Sequence, residues 1–189
     1  MSSVIFVTGN ANKFYEASHI CERYGITLEQ QVFDIDEIQS HDPLKIVEAK
    51  VQSAYEHAQS PVVVNDSSWE IPALGGFPGG YMKDVTTWLS TEDFMNLMAP
   101  KADKRILLHE SVAYYDGKTL TTFTFTRGGK FVDDPRGNSL PTFSRLVQMD
   151  TDDMTISEIF DKGDWDTESE DEYKHWFDFA KWYQGVKSV

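Results

Sequence analysis

The first segment whose residues could do chemistry is short, polar and ends in a lysine. It reads Thr8-Gly9-Asn10-Ala11-Asn12-Lys13. A glycine, small polar side chains and a lysine at the start of a helix suit a phosphate group, because unpaired N–H groups and the positive end of the helix dipole meet there. The pattern is not that of a P-loop. A plain strand-to-helix turn, in which asparagines adopt turn dihedrals, remains an equal alternative.

Acidic residues later in the chain could complete such a site. Glu37 closes an acidic cluster at residues 34–37, and Asp66 follows a different apolar run. Carboxylates from two strand ends suit Mg²⁺, and one of them can deprotonate an attacking water. Lys13 and Lys50 would neutralise charge on a phosphate chain. These carboxylates and lysines together suit metal-assisted hydrolysis of a phosphoanhydride. If the acidic cluster is only a polar loop, a phosphosugar-binding or other nucleotide-binding module stays open.

Short apolar runs alternate with helical periods in the first half and would position these residues. The pattern predicts strands at 4–7, 28–35 and 61–64, and helices at 14–24 and 42–59. Asp42-Pro43 is a strong helix start, with an aspartate N-cap and proline in the first turn. Ligands of open α/β sheets bind beyond the carboxyl ends of strands, so the opening segment and Asp66 are expected at one site.

The second half of the chain is richer in β-structure. Residues 105–115 and 119–127 flank Asp116-Gly117-Lys118, which is a hairpin signal, and Gly128-Gly129 predicts a further turn. Three segments, starting at Ser90, at Thr155 and at Ser169, have the spacing of helix capping boxes. We therefore expect one domain, 1–189, with two lobes: about 1–104 plus the C-terminal helix holding the phosphate and metal site, and about 105–150 forming a β-rich lobe.

Composition limits the classes of partner. The 189 residues carry 31 acidic against 17 basic side chains, a net charge of −14. This balance disfavours nucleic acid and anionic membranes as partners, because both require clustered lysine and arginine. No apolar run is long enough to span a membrane, and no signal peptide is evident. The prediction is a cytoplasmic protein without nucleic-acid or membrane partners.

Other catalytic chemistries are weakly supported. The chain lacks a Gly-x-Ser-x-Gly motif, and its one cysteine, Cys21, falls on the apolar face of the first predicted helix. The five histidines show no close spacing typical of metal ligands, so a zinc site is disfavoured. Metal-assisted phosphate chemistry is left as the leading hypothesis.

The motifs taken together resemble the inosine triphosphate pyrophosphatase (Ham1-like) family. Besides the opening segment, four further blocks match in order: Asp34-Ile35-Asp36-Glu37-Ile38-Gln39; Val64-Asn65-Asp66-Ser67 followed by Ala73-Leu74-Gly75-Gly76-Phe77-Pro78-Gly79-Gly80-Tyr81; Arg136-Gly137; and Thr155-Ile156-Ser157-Glu158-Ile159. The resemblance covers most of the chain and is closest over residues 4–90. It implies an elongated, two-lobed α/β fold with a mixed sheet flanked by helices, and a homodimer.

The resemblance also implies roles for individual residues. The triphosphate would contact Thr8, Gly9, Asn10, Ala11, Asn12 and Lys13. Glu37 would bind Mg²⁺, Asp66 would bind the metal and act as base for water, and Lys50 would contact phosphate. Ser67 and His175 would contact the substrate. The implied reaction cleaves a nucleoside triphosphate between the α- and β-phosphates to a monophosphate and pyrophosphate, with deaminated purines such as those of ITP, XTP and dITP preferred.

Several positions depart from the family pattern. Asn65 stands where a second acid is usual, and Ser68-Trp69 replaces Gly-Leu. Residues 138–143 replace the loop that holds the purine, and Trp176 replaces an arginine after His175. The base preference is therefore open. Two alternatives also stay open: a non-catalytic nucleotide-binding relative, with Asn65 marking lost activity, and a phosphohydrolase of a different nucleotide.

Overall fold

The computed structural model describes residues 2–138, 140, 142–163 and 169–187. Within these ranges the strands are β1 (Ser2–Val7), β2 (Ile26–Gln31), β3 (Val62–Glu70), β4 (Pro78–Gly79), β5 (Arg105–Tyr115), β6 (Leu120–Phe131) and β7 (Val147–Met149). The α-helices are α1 (Ala11–Glu22), α2 (Pro43–Ala58), α3 (Met82–Trp88), α4 (Thr91–Met98), α5 (Ile156–Lys162) and α6 (Glu170–Lys187). Two short 3-10 helices lie at Pro72–Leu74 and Thr142–Arg145.

The strands form one mixed sheet in the order β2-β1-β3-β5-β6-β7, with β4 paired to β3. β1 lies parallel to β2 along its whole length and parallel to β3, whereas β4 and β7 are antiparallel to their partners. The apolar runs of β1 and β3 occupy inner positions, as expected for strands covered on both faces. The predicted α/β class with a mixed sheet and flanking helices is confirmed.

Helix starts agree with the local signals in the sequence. Asp42 caps α2 by accepting a hydrogen bond from the Leu44 N–H, directly before Pro43. The capping boxes predicted at Ser90 and at Thr155 form, with Asp93 at α4 and with Glu158 at α5, and the one at Ser169 stays a prediction. Each interaction joins residues at most three positions apart, so the sequence alone is enough to predict it.

Three predicted strand boundaries are wrong. β2 ends at Gln31 rather than at residue 35, and residues 32–41 are irregular. β3 continues from Val62 to Glu70 instead of ending at residue 64, because β4 pairs with its distal half at Trp69 and Glu70. Gly128-Gly129 lies inside β6 rather than in a turn. A Cβ on Gly129 would lie 2.8 Å from a backbone oxygen of β7, so close strand approach accounts for the glycine.

Contacts divide the chain into two units. Unit 1 comprises residues 1–67, 110–125 and 167–189, and unit 2 comprises 68–109 and 126–166. In unit 1, α1 and α6 pack on one set of sheet residues, and α2 packs on another. Unit 2 has a separate core, which is built from α3, α4, β7 and their neighbours. This division differs from the expected lobes at residues 68–104, which fall in unit 2, and at residues 110–125, which fall in unit 1. The lobe assignment stays a prediction.

No helix among the described residues is both long enough and apolar enough to cross a membrane.

Candidate active site

The turn between β1 and α1 is held by its own side chains. The Thr8 N–H donates to the Gln31 carbonyl at 3.0 Å, and the Gln30 side chain donates to the Thr8 carbonyl at 3.0 Å. The Asn10 N–H donates to the Thr8 hydroxyl at 3.1 Å. The end of β1 is thereby tied to the end of β2, which fixes where α1 begins.

Asn10 is the N-cap of α1, a role the sequence did not predict. Its Oδ1 accepts the N–H of Asn12 at 2.9 Å and the N–H of Lys13 at 3.2 Å. These are two of the N–H donors that a helix start offers to an anion. A phosphate that binds them must share them with, or displace, the Asn10 side chain.

Lys13 extends from the first turn of α1 to β3. Its Nζ donates to the Ser67 hydroxyl at 3.0 Å. Burial lowers the pKa of Lys13, although attraction to Asp66 and then to Glu110 opposes this shift. Lys50 adds a repulsion that lowers the pKa further, so the two lysines lie within electrostatic reach of each other.

Lys50 of α2 joins the two proposed metal ligands. Its Nζ lies 2.6 Å from Glu37 Oε1 and 3.3 Å from Asp66 Oδ1. Burial alone would lower the pKa of Lys50, but the charges of Asp66 and Glu37 and their hydrogen bonds outweigh it and raise the pKa. Lys50 therefore stays protonated, and both carboxylates already share one cation.

Asp66 and Ser67 are neighbours within β3, not residues beyond a strand end. Successive residues of a strand point to opposite faces of the sheet. Asp66 accordingly meets Lys50 of α2, and Ser67 meets Lys13 of α1. The expectation that Asp66 lies at the carboxyl end of the strand is wrong because β3 continues to Glu70.

Of the acidic cluster at residues 34–37, Glu37 is the residue that contacts Lys50, the lysine that also contacts Asp66. It lies in the irregular segment after β2, and its side chain is 48% exposed. Asp34 and Asp36 are exposed in the same segment. Among the described residues no three His, Cys, Asp or Glu side chains converge as a metal site. A metal here would have two carboxylate ligands, Glu37 and Asp66, and would need waters or substrate oxygens for the rest.

Asn65 has a structural partner. It is buried, and its Nδ2 donates to the carbonyl of Ser111 in β5 at 3.1 Å. An amide donor matches this backbone acceptor, whereas a carboxylate would place one acceptor against another. The residue that stands in the family's second acidic position thus joins β3 to β5.

The structure does not bring His175 to the surface. Its side chain is 1% exposed, and its Nε2 lies 3.9 Å from Oε1 of Glu110, a β5 residue that the sequence reading missed. Direct contact between His175 and a substrate stays a prediction. The signal for Glu110 was a charged residue in a strand that is otherwise mostly apolar between residues 106 and 115.

Within unit 2, the Arg136-Gly137 turn is fixed to α5. The Thr155 hydroxyl donates to the Arg136 carbonyl at 3.1 Å, and the Arg136 guanidinium lies 3.5 Å from Glu158 Oε2. The Asn138 N–H donates to Asp161 at 2.8 Å. Of the replaced purine loop, Ser139 and Pro141 lie outside the described residues.

Comparison with known proteins identifies the family. The model of the Ham1 family matches residues 4–163. This protein belongs to the Ham1 family. The resemblance stated from the sequence motifs is therefore confirmed.

Relatives of this Ham1 protein have similar length. A "dITP/XTP pyrophosphatase" of Methanopyrus kandleri is 31% identical over 157 residues, covering 82% of this chain and 84% of the relative. An "Inosine triphosphate pyrophosphatase" of Yarrowia lipolytica is 34% identical over 139 residues, covering 72% and 73%. A solved HAM1 protein from Coxiella burnetii superposes with a TM-score of 0.76 at 16% identity, covering 100% of this chain and 99% of that one. That likeness supports the fold.

Proposed function

We propose that this Ham1 protein is a Mg²⁺-dependent nucleoside triphosphate pyrophosphatase that releases a nucleoside monophosphate and pyrophosphate. The observation that carries the proposal is the contact of Glu37 and Asp66 with one ammonium, Lys50 Nζ, because carboxylates that share a cation can also share a metal. The names of the relatives and the family membership support the same class of reaction.

The two carboxylates fit magnesium. Mg²⁺ prefers oxygen ligands and is commonly held by one or two carboxylates together with waters and substrate phosphates. Glu37 and Asp66 would hold the ion, which supplies charge neutralisation to the phosphate chain when bound. The absence of a third carboxylate ligand among the described residues agrees with a site that the substrate itself completes.

Each remaining residue has a task that its position supports. Asp66, 19% exposed, can accept the proton of an attacking water. Lys13 and Lys50 stabilise charge that develops on the phosphates. The turn at residues 8–13 positions the phosphate chain, and Ser67, already a partner of Lys13, contacts the same group.

The proposed substrates are deaminated purine nucleotides. The relatives' names include dITP, XTP and inosine triphosphate. Because the segment after Gly137 departs from the family pattern, the order of preference among ITP, XTP and dITP is for experiment to assign. The proposed state is a homodimer in the cytoplasm, which light scattering and fractionation would test.

A panel of nucleoside triphosphates with Mg²⁺, assayed separately for pyrophosphate and orthophosphate, tests the proposal. We expect pyrophosphate with deaminated purines, and a loss of about 10²–10⁴-fold in turnover in Asp66→Asn, since a positioned base contributes that much. Asp84→Asn, an equal charge change at an exposed site on α3, should leave turnover unchanged. Binding without turnover would make the protein a non-catalytic relative. Orthophosphate as sole product would indicate a different phosphohydrolase.

A further inference from the structure

Three hydrogen-bonded side chains of unit 2 take no part in the proposed reaction. They are Glu70 of β3, His109 of β5 and Thr126 of β6. Because β5 lies between β3 and β6 in the sheet, the three residues come from adjacent strands. His109 Nε2 lies 3.0 Å from Glu70 Oε2, and His109 Nδ1 lies 2.9 Å from Thr126 Oγ1. The imidazole therefore joins a carboxylate to a hydroxyl.

The carboxylate determines which nitrogen of the imidazole carries the proton. An ionised Glu70 can only accept a hydrogen bond, so Nε2 of His109 donates its N–H to it. In the neutral ring Nδ1 then has a free lone pair, which accepts the hydroxyl proton of Thr126. A hydroxyl bonded to a base, with the base oriented by a third group, is the arrangement that activates a hydroxyl nucleophile.

The charge and the exposure of these side chains indicate which substrate could react. Thr126 is exposed, and the side chains of His109 and Glu70 are 28% and 40% exposed, so a small molecule can approach the hydroxyl from solvent. The Glu70 carboxylate repels an anion such as a phosphate ester, but it does not repel a neutral ester. The same carboxylate stabilises the imidazolium that forms when His109 takes the hydroxyl proton. An uncharged acyl ester is therefore the substrate class that fits.

We propose that Thr126, His109 and Glu70 form a second catalytic site, which transfers an acyl group from a neutral ester to Thr126 Oγ1 and then to water. Thr126 Oγ1 attacks the ester carbonyl carbon while its proton moves to His109 Nδ1. The bond from the carbonyl carbon to the alcohol oxygen breaks, and the alcohol leaves with the proton from His109. Water then attacks acyl-Thr126 with His109 again as base, which releases the carboxylic acid and restores the hydroxyl. Glu70 is the positioning residue for His109.

The test uses 4-nitrophenyl acetate as the probe on the full-length protein, without Mg²⁺ or nucleotide. We expect a burst of nitrophenolate of about one equivalent per chain, the sign of an accumulating acyl-enzyme. Mass spectrometry of peptides taken during the burst should place the acetyl group on Thr126. An acetyl group that is absent from Thr126, or that is found on His109 instead, overturns the proposal without the need for any variant.

Substitutions of the hydroxyl provide the matched comparison. Thr126→Val, which suits a strand, should lose the burst, and Thr126→Ser should keep it. Thr124→Val is the control, because Thr124 is an exposed threonine on the same face of β6 two residues earlier. An unchanged burst in folded Thr126→Val, or an equal loss in Thr124→Val, contradicts the assignment of Thr126 as the nucleophile.

The other two residues should change the rate of acylation rather than its extent. His109→Gln should slow acylation by about 10²–10⁴-fold, the contribution of a positioned base. Glu70→Gln should slow it by about tenfold or more, because an amide that donates to Nε2 favours the tautomer in which Nδ1 carries the proton. A purely structural role of Glu70 would lower Tm and leave the acylation rate of the folded protein unchanged, which would contradict its positioning role. Pyrophosphate release should be the same in Thr126→Val as in the wild type, so the two activities stand or fall separately.

Discussion

Replacing Lys50 with methionine should strengthen Mg²⁺ binding while it slows turnover. The Lys50 ammonium lies 2.6 Å from Glu37 and 3.3 Å from Asp66, the two carboxylates proposed to hold the ion. A metal that binds them must compete with this internal cation. Methionine keeps much of the side-chain length and removes the competing charge.

The size of the effect follows from the exposure of the three side chains. Lys50 and Asp66 are 18% and 19% exposed, so their attraction is little screened, whereas Glu37 is 48% exposed and its attraction is largely screened. We expect the lost competition to be about 1–2 kcal/mol, which is roughly a 5–30-fold decrease in the Kd for Mg²⁺. Turnover should fall by about 10²-fold, because the ammonium no longer stabilises charge on the phosphates.

Calorimetric titration with Mg²⁺ in the absence of nucleotide measures the first effect, and pyrophosphate release measures the second. Lys45→Met is the matched control, since Lys45 is exposed on the same helix and the change in net charge is equal. Unchanged or weaker Mg²⁺ binding by Lys50→Met, with Lys45→Met behaving as wild type, would refute the reasoning that metal and ammonium share these carboxylates.

Three further predictions concern stability and can be measured by thermal or chemical unfolding. Thr155→Ala should lower the free energy of unfolding by about 2 kcal/mol, or Tm by roughly 4–8 °C. The reason is that the buried Thr155 hydroxyl both caps α5 and donates to the Arg136 carbonyl. A change in Tm of less than 1 °C would contradict this. Gly129→Ala should lower the free energy of unfolding by about 1–3 kcal/mol, because the added Cβ clashes with the β7 backbone. Gly185→Ala should raise it by about 0.5–1 kcal/mol, because Gly185 lies in open space on α6. Equal effects of the two substitutions would contradict this account of the packing. The Asp103 pKa is lowered to about 2 from 3.8, chiefly by hydrogen bonds from the Arg105 side chain, so its stabilising contribution is present above pH 3.8 and disappears as the pH falls towards about 2. Asp103→Asn should remove that part of the acid dependence and leave the rest of the profile in place.

The parts of the fold that could be predicted depend on neighbours in sequence. The starts of α2, α4 and α5 each require a side chain and an N–H at most three residues apart, and all three were predicted. The end of β3 depends on β4, and the glycines of β6 depend on β7, so local turn signals gave the wrong boundaries. These strand boundaries are set by pairing with strands that are distant in the sequence.

The candidate site shows the same limit. Motif order was enough to nominate Glu37, Lys50 and Asp66, but only the structure shows that one ammonium contacts both carboxylates. Asn65 looked like a missing charge, and its amide proves to bind a carbonyl 46 residues away. Glu110 was overlooked because its partner His175 lies on a distant helix.

The packing of α6 has a consequence for the order in which the protein can be made. α6 lies beyond the residues matched by the family model, yet Trp176 contacts Phe6 of β1 with ring centroids 5.0 Å apart. The Tyr183 hydroxyl donates to the Ser3 carbonyl across 180 residues of chain. A ribosome therefore produces β1 long before the helix that covers it. Until α6 emerges, Phe6 has the cover of α1 but lacks that of Trp176, and the nascent chain leaves part of an apolar strand exposed to a chaperone.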